Sequence, residues 1–154
     1  MKILFICKSN AERSQMAEVL FNYRYKGLRK RHSAMSAGTN VDLEKTHGHG
    51  AGYIVSELLL SMGHDQIMDA RRKQLTERIA RRADKIVVLL RKKEVDRFLP
   101  EYVKKSSKTI FWDVGFRNVT RRFYKKFPPP TYEQHLETLG VIISNMDRLV
   151  RELG

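Results

Sequence analysis

The stretch KILFICKSNAERSQMAE, residues 2–18, decides the fold. It begins with a short apolar run that is typical of a buried strand, and the run ends at Cys7, the one cysteine of the sequence. A polar turn follows and is closed by Arg13 and Ser14. The apolar spacing after the turn predicts an amphipathic helix. The stretch therefore predicts a strand, a loop and a helix in direct succession.

The loop between Cys7 and Arg13 has the residue types of an anion-binding site. Loop amides and the N-terminus of the following helix attract anions. An arginine binds an oxyanion through two oxygens at once, which a lysine cannot reproduce. These surroundings also favour the thiolate form of a cysteine. We therefore expect Cys7 to attack phosphorus in line and form a phosphocysteine, while Ser14 donates a hydrogen bond to the thiolate.

Further apolar runs alternate with helical patterns along the rest of the chain. The predicted strands are residues 2–6, 32–36, 85–90 and 109–112. The predicted helices follow the first loop and then cover residues 53–62, 76–83, 91–102 and a final segment that starts with a capping box at Thr131. Because strands alternate with helices, we expect an α/β fold with a four-stranded parallel sheet and helices on both faces. We expect residues 1–154 to form a single domain.

The final helix has apolar residues at a spacing of three and four, which predicts its buried face. The residues predicted to lie on that face are Leu136, Leu139, Ile143, Met146 and Val150.

The chain carries a formal net charge of +13, and the excess is confined to one segment. Residues 71–126 contain 19 Lys or Arg and 6 Asp or Glu, whereas the remainder contains 11 of each. One interpretation is a solvated basic surface. The other is attraction to an acidic partner such as a phosphoprotein, with nucleic acid possible but not favoured.

The expected location is the cytoplasm. No apolar run approaches the length of a membrane span, and the opening MKILFIC is too short for a signal peptide. A single cysteine allows no intramolecular disulfide, and a thiol-dependent activity needs a reducing compartment.

The motif Cys7-x-x-Asn10-x-x-Arg13-Ser14, followed by QMAE, resembles the signature of the low-molecular-weight protein tyrosine phosphatase family, including its arsenate reductase-like branch. Residues 36–39, 74–76 and 83–84 resemble later motifs of that family. The resemblance implies a flavodoxin-like sheet, Cys7 as nucleophile, Arg13 as phosphate clamp, and neither a metal nor another cofactor. It implies hydrolysis of phosphate monoesters, with phosphotyrosine on proteins as the expected substrate.

The same resemblance assigns the other residues of the loop. Asn10 and Ser36 are expected to hydrogen-bond and brace the loop. Glu12 departs from the family pattern, because a carboxylate that pointed into the loop would repel phosphate. We therefore expect Glu12 to face outward and to contribute only its backbone N–H. The candidate substrate-binding residues are Lys8, Ser9, Asn10, Ala11, Glu12 and Ser14.

Two alignments with the family motif lead to different assignments of the general acid. The family places an Asp-Pro after the fourth strand, and this chain has Asp113-Val114 there, without any Asp-Pro elsewhere. Either Asp113 is the acid, or the position of the acid is now Phe116 and the acid is lost. The basic and aromatic residues 115–130 that follow are either a solvated loop or a wall that contacts the substrate.

Two alternatives to a phosphatase remain at this point. One is an arsenate reductase that uses an external small thiol, which the run RSQMAE, residues 13–18, favours slightly. The other is a non-catalytic basic protein that binds phosphate groups or nucleic acid. His47 and His49 lack a third ligand nearby, so we interpret their loop as the rim of the pocket rather than a metal site.

Overall fold

The computed structural model describes residues 1–25, 31–42, 53–63, 71–115 and 131–154. Four strands form one parallel sheet in the order β2-β1-β3-β4. They are β1 (Lys2–Cys7), β2 (Ser33–Gly38), β3 (Lys85–Leu89) and β4 (Thr109–Trp112). This is the strand order of flavodoxin-like sheets, so the predicted fold class is confirmed.

The helices lie where the sequence pattern predicts them, except that one predicted helix is divided into two. They are α1 (Arg13–Val19), which continues as a π-helical turn (Leu20–Arg24), α2 (Tyr53–Ser61), α3 (Glu77–Arg82), α4 (Lys92–Phe98), α5 (Glu101–Lys104) and α6 (Tyr132–Leu153). The segment predicted as one helix over residues 91–102 is two helices. Pro100 has an extended backbone, with ψ of 150°, and serves as the N-cap of α5.

The sheet separates two apolar cores. Side chains alternate along a strand, so Ile3 and Phe5 of β1 pack into one core, and Leu4 and Ile6 pack into the other. Helices α1, α2 and α6 cover the first core, and α3, α5 and the end of α4 cover the second. Because both faces are covered, the central strands are continuously apolar rather than alternating.

The predicted buried face of α6 is wrong at Leu136, which is 44% exposed. The helix buries a stripe that begins one residue earlier, at His135, and includes Thr138. A count of apolar residues misses these two positions because both are polar. The residues of the helix that are buried are His135, Thr138, Leu139, Ile142, Met146 and Leu149.

Several expectations fall outside the described residues. These are the loop with His47 and His49, the position of Phe116, and the basic and aromatic residues that follow it up to residue 130. Within the described ranges, no helix has the length and apolar character that crossing a membrane requires.

Candidate active site

Cys7 is the last residue of β1, and the loop that follows it connects the sheet to α1. Ligands of open α/β sheets bind at this carboxyl edge, in the crevice where the strand order reverses. Asn10 lies in the middle of the loop with φ of 53°, a left-handed conformation that Asn tolerates better than most residues. Asn10 is completely buried, so its side chain needs partners inside the protein.

The amide of Asn10 fixes the direction of the hydrogen bonds around the thiol. Its Oδ1 accepts from the backbone N–H of Lys73 at 2.8 Å, which identifies the other amide atom as nitrogen. That Nδ2 donates to Ser14 Oγ and to Ser36 Oγ, both at 2.9 Å. Ser14 Oγ lies 2.9 Å from Cys7 Sγ, and since it already accepts from Asn10, its own hydrogen is available for the sulfur. The network thus directs one O–H at the sulfur of Cys7.

The brace continues beyond Asn10 into helix α1 and strand β2. Ser36 Oγ accepts from Asn10 and donates to the carboxylate of Glu18. Ser36 is buried near the end of β2, and Glu18 belongs to α1. The expected hydrogen bond between Asn10 and Ser36 is therefore present and connects the loop to β2, while the hydrogen bond from Ser36 to Glu18 connects β2 to α1.

Gly38 allows the loop to lie directly against the end of β2. A Cβ at this position would stand 2.6 Å from the carbonyl oxygen of Lys8 and 2.8 Å from the backbone nitrogen of Asn10. The following residue, Thr39, donates its N–H to the carbonyl of Cys7 at 3.0 Å. The motif at residues 36–39 is thus a support for the loop, and its glycine is required by the close approach of two backbones.

Arg13 is held in one orientation by groups that surround it. Its Nη1 donates to Glu94 Oε1 at 2.7 Å and to the carbonyl of Val114 at 3.0 Å, and its Nη2 donates to Glu94 Oε2 at 3.1 Å. The Arg13 side chain is 10% exposed and that of Glu94 is 24% exposed. A buried arginine held by a two-point carboxylate contact has little freedom to rotate.

A count of N–H groups shows which edge of Arg13 is open. A guanidinium has five N–H groups, and the contacts above use both on Nη1 and one on Nη2. Among the described residues, none accepts from Nε–H or from the second Nη2–H. These two groups form one edge of the guanidinium, which can bind two oxygens of a phosphate.

Glu94 is a site residue that the sequence interpretation missed. Burial alone would raise the pKa of Glu94, but the hydrogen bonds and charge of Arg13, with the N–H of Arg91, lower that pKa overall. Burial alone would lower the pKa of Arg13, but the hydrogen bonds and charge of Glu94, with a negative charge on Cys7, raise that pKa overall. Glu94 therefore stays ionised. The position of Glu94 in the sequence was a signal for this role. Glu94 follows β3, and because β3 lies next to β1 in the parallel sheet, the chain after β3 lies at the same edge of the sheet as Cys7.

The other residues of the loop differ in exposure. Ser9 is partly buried and Ala11 is almost completely buried, with 7% of its surface exposed. Lys8 extends outward, where its Nζ lies 4.7 Å from the ring centroid of Phe98. Glu12 is the N-cap of α1, and its side chain is 31% exposed. The carboxylate of Glu12 thus lies at the rim of the loop.

Asp113 follows β4 and is anchored by Arg91 rather than by the anion loop. Its carboxylate is 71% exposed and lies 3.4 Å from Arg91 Nη1. Arg91 also donates to the carbonyl of Gly115 at 2.9 Å, so it fixes the turn that contains Asp113. The next residue, Val114, accepts from Arg13. The turn is therefore connected to the site, while the role of Asp113 as the acid stays a prediction.

Nothing in the described part of the chain gathers three or more His, Cys, Asp or Glu side chains into a group that could hold a metal ion.

These features combine a cysteine, a fixed arginine and a tight loop at the carboxyl edge of a flavodoxin-like sheet. The family model described as low molecular weight phosphotyrosine protein phosphatase matches residues 2–153, and the chain belongs to that family. It is therefore a hydrolase of the cysteine-dependent phosphatase class. No curated protein matches the chain in sequence.

Solved structures of similar fold cover nearly the whole chain. A low molecular weight protein tyrosine phosphatase from T. tengcongensis is 25% identical, with 96% of this chain and 99% of that chain covered and a TM-score of 0.62. The tyrosine phosphatase AmsI of Erwinia amylovora is 24% identical, with 98% and 91% covered and a TM-score of 0.69. The YwlE arginine phosphatase from Geobacillus stearothermophilus is also 24% identical, with 99% and 92% covered and a TM-score of 0.69.

Proposed function

We propose that this chain is a single-domain cytoplasmic phosphatase that hydrolyses phosphotyrosine on proteins through a phosphocysteine at Cys7. The observation that carries the proposal is the contact of 2.9 Å between Cys7 Sγ and Ser14 Oγ, in the same loop as Arg13, two of whose N–H groups have no acceptor among the described residues. The sulfur has a hydrogen-bond donor for its anionic form, and the guanidinium has a free pair of donors for phosphate oxygens.

The reaction has two displacements at phosphorus. The thiolate of Cys7 forms a P–S bond as the bond to the phenol oxygen breaks, and Asp113 gives its proton to that oxygen. Water then attacks phosphorus, the P–S bond breaks, and the proton of the water passes to Asp113. Arg13 and the amides of residues 8–13 stabilise the charge on the transferring group in both steps. Ser14 stabilises the sulfur as it leaves.

The surface beside the loop favours a substrate with acidic residues near the phosphate. Two cations contact the ring of Phe98: Arg97 Cζ lies 5.6 Å and Lys8 Nζ 4.7 Å from its centroid. Contacts of this kind stabilise the cations next to the loop. Arg72 also lies near the loop: burial lowers the pKa of Arg72 overall, and the negative charges of Glu12 and Cys7 oppose that effect. We therefore propose that acidic segments of a phosphoprotein are the partner of the basic surface.

The test is a comparison of substrates with one enzyme. We expect hydrolysis of an aryl phosphate and of phosphotyrosine peptides, and a higher kcat/KM for a peptide with Glu flanks than for its Gln counterpart. This difference between the two peptides should shrink as salt rises, because screening weakens charge attraction. The alternatives are tested with the same enzyme. Phosphoserine and phosphoarginine peptides test other substrates, single-stranded DNA is added as a competitor, and arsenate with glutathione tests for arsenate reduction. Absence of aryl phosphate hydrolysis would refute the phosphatase proposal, and preference for phosphoarginine would refute the proposed substrate.

Replacement of Asp113 by Asn tests the general acid. The loss of a general acid typically costs about 10²–10⁴ in rate. We expect a decrease in kcat of that size for phenyl phosphate, whose leaving group needs a proton, and a much smaller decrease for an aryl phosphate with a strongly acidic phenol. Glu137→Gln on α6 is a control for the loss of one charge. Equal rates for wild type and Asp113→Asn with phenyl phosphate would exclude Asp113 as the acid.

A further inference from the structure

Glu12 places a negative charge at the rim of a loop that binds anions. Glu12 is the N-cap of α1 and directly precedes Arg13, and its charge acts on the guanidinium of Arg13. A like charge there weakens anion binding unless another group compensates for it. The structure contains such a group on α6.

His135 approaches Glu12 from the first core. Its ring is 3% exposed, and its Nε2 lies 3.6 Å from Glu12 Oε1. Its Nδ1 lies 2.8 Å from the carbonyl oxygen of Thr131. A carbonyl accepts only, so Nδ1 carries a hydrogen. In the neutral ring, Nε2 would then direct a lone pair at a carboxylate, whereas the imidazolium directs an N–H at it.

The surroundings of this pair are also charged. Burial alone would lower the pKa of His135, but the contact with Glu12 and the Thr131 carbonyl raise it overall. Glu12 in turn contributes to the raised pKa of Arg13 and opposes the effect of burial on Arg72. Among the described residues, the groups shown to act on the pair include the Thr131 carbonyl and the two arginines, and a charge on Cys7 acts on the same arginines. Both arginines are positive at every pH of interest, so the contact with Glu12 depends on the charge of His135.

We propose that protonated His135 is a positioning residue that holds the carboxylate of Glu12 outward and neutralises it, so that the anion loop binds phosphate. The inference rests on the proposed function, since it concerns the same anion site. It explains how a loop with Glu12 in place of a small residue keeps its affinity for an oxyanion. It also assigns a role to the polar residue that begins the buried stripe of α6.

The direction of the pH effect follows from the charge of His135. Below its raised pKa, the ring is positive and Glu12 is compensated. As the pH rises through that pKa, the compensation is lost and anion affinity decreases. The same sign holds for stability: the contact contributes below the ordinary pKa of His and is lost as the pH rises through the raised pKa.

Sulfate binding tests the proposal without turnover, since sulfate keeps its charge between pH 5 and pH 9. The dissociation constant is measured by calorimetry for wild type, His135→Gln, Glu12→Gln and the double variant. We expect His135→Gln to weaken binding at pH 6 roughly fivefold, in the range of a partly exposed ion pair. Glu12→Gln in the same chain should restore the affinity. The ratio of the dissociation constants of His135→Gln and wild type should approach one at high pH, where His135 of the wild type is neutral, as the glutamine of the variant always is.

Rescue separates the charge effect from a packing effect. If His135 only fills space, the double variant binds sulfate as weakly as His135→Gln, and the proposal is overturned. Equal affinity of wild type and His135→Gln at pH 6 overturns it as well. Glu77→Gln on the exposed surface of α3 is the charge control and should bind as wild type does. If sulfate binds as expected but no phosphate ester is hydrolysed, the proposed function fails while the role of His135 stands.

Discussion

Replacement of Cys7 by Ser is expected to abolish phosphatase activity, with a loss in kcat on the order of 10⁶-fold, as for the nucleophile of other hydrolases. A serine hydroxyl is not ionised at neutral pH, and Ser14 Oγ, which lies 2.9 Å from the sulfur, offers no base to deprotonate it. The measurement is kcat with an aryl phosphate, with the phosphocysteine trapped by rapid acid quench in the wild type and absent in the variant.

The binding of anions distinguishes a chemical defect from a folding defect in this variant. The amides of the loop and the open edge of Arg13 do not depend on the sulfur, so Cys7→Ser should still bind benzylphosphonate. Asn10→Ala is a contrast, because it removes the partner of Ser14, Ser36 and Lys73. We expect it to weaken binding and lower the melting temperature together. Hydrolysis that persists in Cys7→Ser at more than a thousandth of the wild-type rate would contradict the mechanism.

The sequence was sufficient to predict the parts of the site whose residues are close together in the chain. The loop between Cys7 and Arg13 lies between a strand and a helix that are adjacent in sequence, so their order predicts the geometry. The contact between Asn10 and Ser36 was accessible only through the family motif, since 26 residues separate them. The structure confirms this contact. It forms because the parallel pairing of β1 with β2 brings the carboxyl ends of both strands together.

Sequence patterns were insufficient where a polar residue acts through a distant partner. Glu94 lies 81 residues from Arg13, and α4 gives no reason to prefer it over Asp96 until β3 is placed beside β1. His135 was missed for a related reason. The helical pattern was judged from apolar residues, so the stripe was assigned one residue too late, and the polar residue that contacts the loop was left out.

Arg13→Lys is expected to lower kcat by about 10³-fold, in the range that loss of a preorganised oxyanion donor costs. Lysine keeps the positive charge but replaces a planar fork by one ammonium, so it cannot bind Glu94 and two phosphate oxygens at the same time. The expected change is in kcat more than in KM, because the fork is matched to the transferring group. Steady-state kinetics with an aryl phosphate measures both.

Glu94→Gln tests whether the orientation of the Arg13 guanidinium depends on the carboxylate of Glu94. The amide keeps one oxygen for Arg13 but loses the second acceptor and the charge, so Arg13 can rotate and the open edge is no longer fixed. We expect a smaller decrease in kcat than for Arg13→Lys, and nearly no further decrease when the two changes are combined, since both act through the same guanidinium. Asp96→Asn, exposed on the same helix, is the matched control. Additive losses in the double variant would show that Glu94 acts on the substrate directly rather than through Arg13.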